Sequence, residues 1–208
     1  MTEKNENITT TFGLIEESVQ IGENVKIYPN VYILGNSKIG NNVVIYPNTT
    51  IENSIIGDNV VIKSSFIENS EVKSGAVIGP FAHLRPNSVI GENCKVGNFV
   101  EIKNATLGAN TKASHLAYVG DADVGANCNI GCGAIFVNYN GKNKNRTTVE
   151  DNSFIGSNCN VIAPVHIKKG SYICAGTTIT VDTQPDDFVI GRCRETIKNN
   201  RAHRYLGK

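Results

Sequence analysis

The chain has 208 residues and a formal charge of +1, from 20 Lys and Arg against 19 Asp and Glu. That length suits one ordinary domain, the near-neutral charge gives no case for nucleic acid or an anionic membrane surface, and no run of 18 apolar residues is present to span a bilayer. Its 20 Gly and 27 Asn, with no Trp and one Met, are too much turn-forming material for a helical protein, while an apolar fraction of 40% is too high for disorder.

The first stretch, MTEKNENITTT, is polar and lacks the apolar core of a secretory signal, so residues 1–17 are read as a polar N-terminal tail. From Ile21 a repeat takes over. Ile21, Ile27, Ile33, Ile39, Ile45 and Ile51 recur every six residues, and shorter steps lead through Ile56, Ile62 and Ile67 to Val72. The register resumes at Ile78, Leu84, Ile90, Val96 and Ile102, and continues through Leu107, Ala113, Val119, Val124, Ile130 and Phe136. Val149, Ile155, Val161, Ile167, Ile173 and Ile179 complete 27 positions, or nine triplets.

Neither a helix nor an alternating strand generates a period of six. A hexapeptide repeat does, with three short strands and three turns per triangular coil and each periodic aliphatic pointing inward. Residues 18–182 are therefore expected to form an all-β parallel β-helix of about nine coils. Eleven of the 20 glycines directly follow a periodic aliphatic, and Asn is plentiful between them. Both residue types tolerate the left-handed backbone of tight corners, and both are assigned to that role.

Two segments depart from the register. Thirteen residues separate Phe136 from Val149, so 137–147 is an inserted loop, which in a regular solenoid points to function. After Pro185 the chain becomes basic and leaves the repeat, so 183–208 is read as a short C-terminal arm that caps the prism or reaches a neighbouring chain. The six Cys, at 94, 128, 132, 159, 174 and 193, form no CxxC pair and are expected as free thiols in a reducing cytoplasm.

Chemistry-bearing side chains are few. His115 follows Ala113 by two and should project outward, either as a surface histidine or as a general base, for which an imidazole is suited at neutral pH. A zinc site needs converging ligands, but the four His fall on separate coils, and no metal is expected. Arg85 follows Leu84, Lys103 follows Ile102, and the loop adds Lys142, Lys144 and Arg146. A charged loop is ordinarily a solvated surface; beside a histidine and Tyr118 these cations suggest a phosphate site.

The stretch from GPFAHLRPN through GNFVEIKN, SHLAYVGDADVG and NYNGKNK, followed by FIGSNCNVIAPVHI, AGTTIT and VIGRCRET, resembles the acetyltransferase half of bacterial bifunctional N-acetylglucosamine-1-phosphate uridyltransferase/glucosamine-1-phosphate acetyltransferase. The resemblance covers nearly the whole repeat. It implies a left-handed β-helix, acetyl-CoA as donor, glucosamine 1-phosphate as acceptor and a cytoplasmic homotrimer serving UDP-N-acetylglucosamine and cell-wall precursor synthesis. By position it implies His115 as proton acceptor, and Arg85, Lys103, Tyr118, Asn129 and Lys144 as holders of the sugar phosphate. It further implies acetyl-CoA contacts at Cys132, Asn138, Tyr139, Ser157, Ala175 and Arg192. Glu101 is a candidate to orient the imidazole, and the Asn138 amide or a backbone N–H a candidate oxyanion donor. In the trimer, loop 137–147 and the segment around Arg192 are expected to complete a neighbour's site.

Two departures qualify the resemblance. Asn140 stands where many relatives have Asp, which bears on the loop's charge. No Gly-rich GxGTRM loop is present, so uridylyl transfer is expected from a separate protein or from the rest of a longer chain. The competing readings are a hexapeptide acyltransferase with another amine acceptor and a non-catalytic β-helix scaffold.

Overall fold

The computed structural model describes residues 13–207; residues 1–12 of the expected N-terminal tail lie outside the described residues. The described residues form 25 strands, most of them two to four residues long, from Leu14–Ile15 to Phe188–Val189, and every strand pairing between them is parallel, so the fold is the expected parallel β-helix. Ile33 lies over Ile51 and Leu84 over Ile102, one coil apart in each case. Pairing extends past each expected bound of the repeat: Ile15 stacks on Ile33, and Val189 on Ile173.

Three flat faces result, each named here for one inward residue. The Leu84 face stacks Ile33, Ile51, Ile67, Leu84, Ile102, Val119, Phe136 and Val161. The Val96 face stacks Ile78, Val96, Ala113, Ile130, Ile155 and Ile173, and the Leu107 face stacks Ile90, Leu107, Val124, Val149 and Ile167. These side chains are buried and line one continuous core. At roughly 1.5–3 kcal/mol for each aliphatic removed from water, this axial column is the main stabilising term.

The corners correct one expectation. Left-handed backbone falls on Asn24, Asn42, Asn59, Asn93, Asn110 and Asn127 down one edge, not on the glycines that follow the periodic aliphatics; of those eleven only Gly79 has positive φ. The others are small for a different reason. A Cβ on Gly108 would sit 2.5 Å from the Gly125 carbonyl carbon, and one on Gly131 would sit 2.5 Å from the Gly156 carbonyl carbon. The glycines after a periodic aliphatic answer the close passage of one coil over the next, while Asn, with Gly75, Gly133, Gly170 and Gly176 at equivalent corners, answers the turn.

A third edge, between the Val96 and Leu84 faces, breaks the pattern. Phe81, Phe99 and Leu116 hold φ of 57°, 58° and 38°, where Asn30, Asn48 and Asn158 stand in other coils. All three are about 60% exposed, and the two Phe rings stack at 5.6 Å. Bulky residues in left-handed backbone cost about 1–2 kcal/mol each and mark positions set by something other than folding. Beside this edge run the two longest strands, Lys95–Leu107 and Lys112–Val124, paired over ten positions from Lys95↔Lys112 to Leu107↔Val124. The arm after Val189 is exposed and ends in one turn of helix, His203–Leu206.

Candidate active site

His115 projects outward on that third edge, as its place in the repeat predicts. It stands directly over Asn98, whose Oδ1 lies 2.7 Å from the imidazole Nδ1. Glu101, the expected orienting carboxylate, is engaged elsewhere: its Oε1 accepts from Arg85 at 2.8 Å. The edge continues upward from His115 through Cys132, Ser157 and Ala175, each two residues past an inward aliphatic of the Val96 face and each exposed. Three of the expected acetyl-CoA positions thus form one column above the histidine. Arg192 closes its top, donating to the Ala175 carbonyl at 2.8 Å.

The Leu84 face carries the cations. Arg85, Lys103 and Tyr118 flank inward Leu84, Ile102 and Val119, so successive coils bring them together. Loop 137–147 folds back toward the same place. Lys144 is the largest cause holding the Lys103 ammonium below its ordinary value, with burial and Arg85 adding to it and Asp121 opposing. Arg85 is held above its ordinary value, chiefly by the hydrogen bond to Glu101. Three cations gathered around one spot, two of them at mutual electrostatic cost, is the arrangement an anion relieves.

Asp121 supports this cluster. Burial works against its ionisation, but donors from the Asn104 and Asn138 amides and the nearby Lys144 and Lys103 ammonium groups outweigh burial and lower its pKa. Asn104 Nδ2 donates at 2.5 Å, and Asn138 donates to Asp121 and, at 3.3 Å, to the Tyr118 hydroxyl. A carboxylate only accepts, so the contact fixes which end of the Asn138 amide faces it. The Asn138 amide nitrogen thus has two acceptors within the chain, Asp121 and the Tyr118 hydroxyl. Asp121, Asn104 and Asn98 were missed by sequence reasoning; counting two residues past an inward position would have stacked each on its partner.

Loop 137–147 is an ordered turn whose residues 139–144 are exposed. Tyr139 bridges Lys144, and Asn140 Oδ1 accepts from the backbone N–H of Lys142 at 3.0 Å and Asn143 at 2.8 Å. The departure from Asp at 140 keeps the acceptor and loses only charge. Arg146 clamps the base of the loop, donating to Asp123 at 2.5 Å and to the Asn104 and Ala122 carbonyls.

Some expected residues lie apart. Asn129 precedes Ile130 on the Val96 face, beside Asn110 and Lys112, and does not join Arg85, Lys103 and Tyr118 within one chain. Within the one chain described, Arg146 of the loop meets Asp123, and Arg192 meets the Ala175 carbonyl. A groove of about 450 Å³ runs beside His115, lined by Phe99, Glu101, Leu116, Tyr118 and Ile135 among others. A second hollow of about 400 Å³ lies on the Leu107 face, where Asp123 is taken by Arg146 and Glu150 by Lys168 and His166. Among the described residues no group of three metal-ligating side chains converges, and no helix is long and apolar enough to cross a membrane.

Comparison with known proteins places this geometry. Residues 18–53 and 146–180 match the family described as bacterial transferase hexapeptide (six repeats), and residues 66–138 match the GMPPB C-terminal domain. Bifunctional protein GlmU of Alkaliphilus oremlandii is 53% identical over 91% of this chain, and that of Thermodesulfovibrio yellowstonii 54% identical over 86%. The chain carries the hexapeptide repeat of bacterial transferases and is similar to GlmU over most of its own length. It spans 42% and 40% of the length of those two relatives. GlmU of Clostridioides difficile is 49% identical over 92% of the chain and 42% of its own length. The solved structure of Arabidopsis UDP-N-acetylglucosamine acyltransferase shares the fold with a TM-score of 0.56, at 21% identity over 86% of this chain and 69% of that one.

Proposed function

We propose that the chain transfers the acetyl group of acetyl-CoA to the amine of glucosamine 1-phosphate, in a cytoplasmic homotrimer that serves UDP-N-acetylglucosamine and cell-wall precursor synthesis. The observation that carries this reading is the convergence of Arg85, Lys103 and Lys144 on the face adjoining the His115 edge. Arg and Lys together suit a phosphate, by a planar fork and by mobile point charges. The column Cys132, Ser157 and Ala175 gives acetyl-CoA an extended bed that ends at the histidine.

The chemistry follows from that placement. An amine attacks a thioester only as the free base, so the substrate ammonium first gives one proton to solvent, and His115 takes a second from the nitrogen as it bonds to the carbonyl carbon. The oxyanion of the tetrahedral adduct is held by a backbone N–H or the Asn138 amide. Collapse re-forms the carbonyl, breaks the carbon–sulfur bond and releases CoA thiolate, which takes the proton back. The amine is itself the nucleophile, so no acetyl-enzyme is formed.

A trimer fits three features. Phe81, Phe99 and Leu116 expose an apolar ridge parallel to the prism axis, which cyclic packing of prisms buries continuously. Asn129 sits on the face next to the cation cluster, in position to serve a neighbouring copy. The arm leaves Ile197, Tyr205 and Leu206 exposed. Sedimentation equilibrium should return three chains per particle.

The functional test is free-CoA release with glucosamine 1-phosphate, run beside glucosamine 6-phosphate and glucosamine. Turnover confined to the 1-phosphate and lost in His115→Ala is the expected result. Turnover with another amine alone would replace the acceptor, and none with any amine would leave a scaffold.

A further inference from the structure

The polar partner of the histidine ring is an amide, and its identity sets which ring nitrogen is basic. We propose that Asn98 is a positioning residue that fixes His115 as its Nδ1–H tautomer and so leaves the lone pair on Nε2 as the proton acceptor; the catalytic part of this assignment rests on the acetyltransferase reading above. An amide oxygen only accepts hydrogen bonds, so the nitrogen it meets at 2.7 Å carries the hydrogen. A neutral imidazole has one N–H, and the bond made by one nitrogen decides the state of the other. Free neutral histidine favours the opposite form, which would present an N–H to the incoming amine and leave nothing on that side to take its proton.

The choice of an amide over a carboxylate has its own physical sense. A carboxylate at this position would also accept from Nδ1, but its charge would favour imidazolium and deplete the free base at neutral pH. Asn98 orients the ring without that bias. The carboxylate that is nearby, Glu101, is held on the groove side by Arg85. The other titratable neighbours by position are Tyr118 in the groove and Cys132 on the coil above.

The backbone makes the contact rigid. Asn98 and His115 face each other within the ten-position ladder of the two longest strands. A Cβ on Gly97 would lie 1.9 Å from the Ser114 carbonyl oxygen, so the two coils pass here more closely than any side chain permits. Phe99 and Leu116, next in each chain segment, hold the left-handed backbone that turns both segments together. Strain at this corner is spent on placing two polar side chains in register.

The experiment uses the full chain labelled with ¹⁵N-histidine, with His115→Gln to assign the ring and Asn98→Leu and Asn98→Asp as probes. NMR of the neutral imidazole, without substrate, should find the hydrogen on Nδ1 in the parent and in Asn98→Asp, and moved to Nε2 in Asn98→Leu. In turnover, Asn98→Leu should lower kcat by on the order of 10–100-fold with both KM values little changed. Asn98→Asp should recover much of that loss and move the acid limb of kcat/KM up by about one pH unit. A parent imidazole carrying its hydrogen on Nε2 would overturn the proposal, as would parental turnover in Asn98→Leu. Acetyl transfer absent from every form would overturn the acetyltransferase reading instead, and the NMR result would still decide the tautomer.

Discussion

Lys103 and Lys144 oppose each other until an anion lies between them, and this has a readable pH signature. A lysine held below its ordinary value loses its charge earlier as pH rises. Binding of a phosphate that needs both charges therefore weakens from the alkaline side, and KM for glucosamine 1-phosphate should climb between neutrality and about pH 10. Lys144→Ala removes the largest cause of the lowering. It should raise the neutral-pH KM about tenfold, for one lost charged contact, and shift the alkaline climb to higher pH. An unchanged climb in that variant would separate Lys103 from the acceptor. His115 and Lys103 were legible in the sequence because the six-residue register sends them outward, and Lys144 because it lies in the loop that interrupts that register. Asp121, Asn98 and the clamp role of Arg146 were not, because each acts on a residue one coil away. Their significance lies in stacking, which neighbouring letters do not show.

Individual coils obey two separate rules, and substitution can pull them apart. Gly108 has ordinary φ but no room for a methyl group against the coil above, whereas Asn127 is exposed but has a φ of 56°. Gly108→Ala should cost roughly 1–3 kcal/mol, because backbone rather than a flexible side chain must move. Asn127→Gly should stay within about 0.5 kcal/mol, since glycine accepts the same backbone and that side chain faces water. Urea melts of both variants check the contrast; equal losses would return the glycines to the corner role their abundance first suggested. Composition announced tight corners and tight spacing together. Only the coordinates assign Asn to one and the glycines after periodic aliphatics to the other, because both recur with the same period. The loop was legible as an interruption, and its inward fold was not, since the Asn140 turn and the Arg146 clamp depend on bonds that no local pattern encodes.

The described residues form a stack in which each strand pairs with the coil before and the coil after it, and only the loop side chains Lys144 and Arg146 reach further. The fold class was therefore almost fully legible, while the placement of Asn129 on a second face could be read only by counting each position around the triangle. Residues 31–48 make one complete coil: Val31 pairs with Thr49, and Asn30 and Asn48 share a φ of 60°. Excising them would join Asn30 to Thr49 at the same point of the turn, well below Arg85. The shortened chain should fold and keep kcat within about twofold, with a smaller urea m-value because less surface is exposed on unfolding. Loss of turnover in a folded product would show that the lower coils reach the site. If it behaves as expected, prism length is a free parameter counted in whole coils. The lower coils then act as a spacer, a ruler that sets how far anything joined to the N-terminus stands from the chemistry, and lineages or engineers can lengthen or shorten it by whole links without retuning the site.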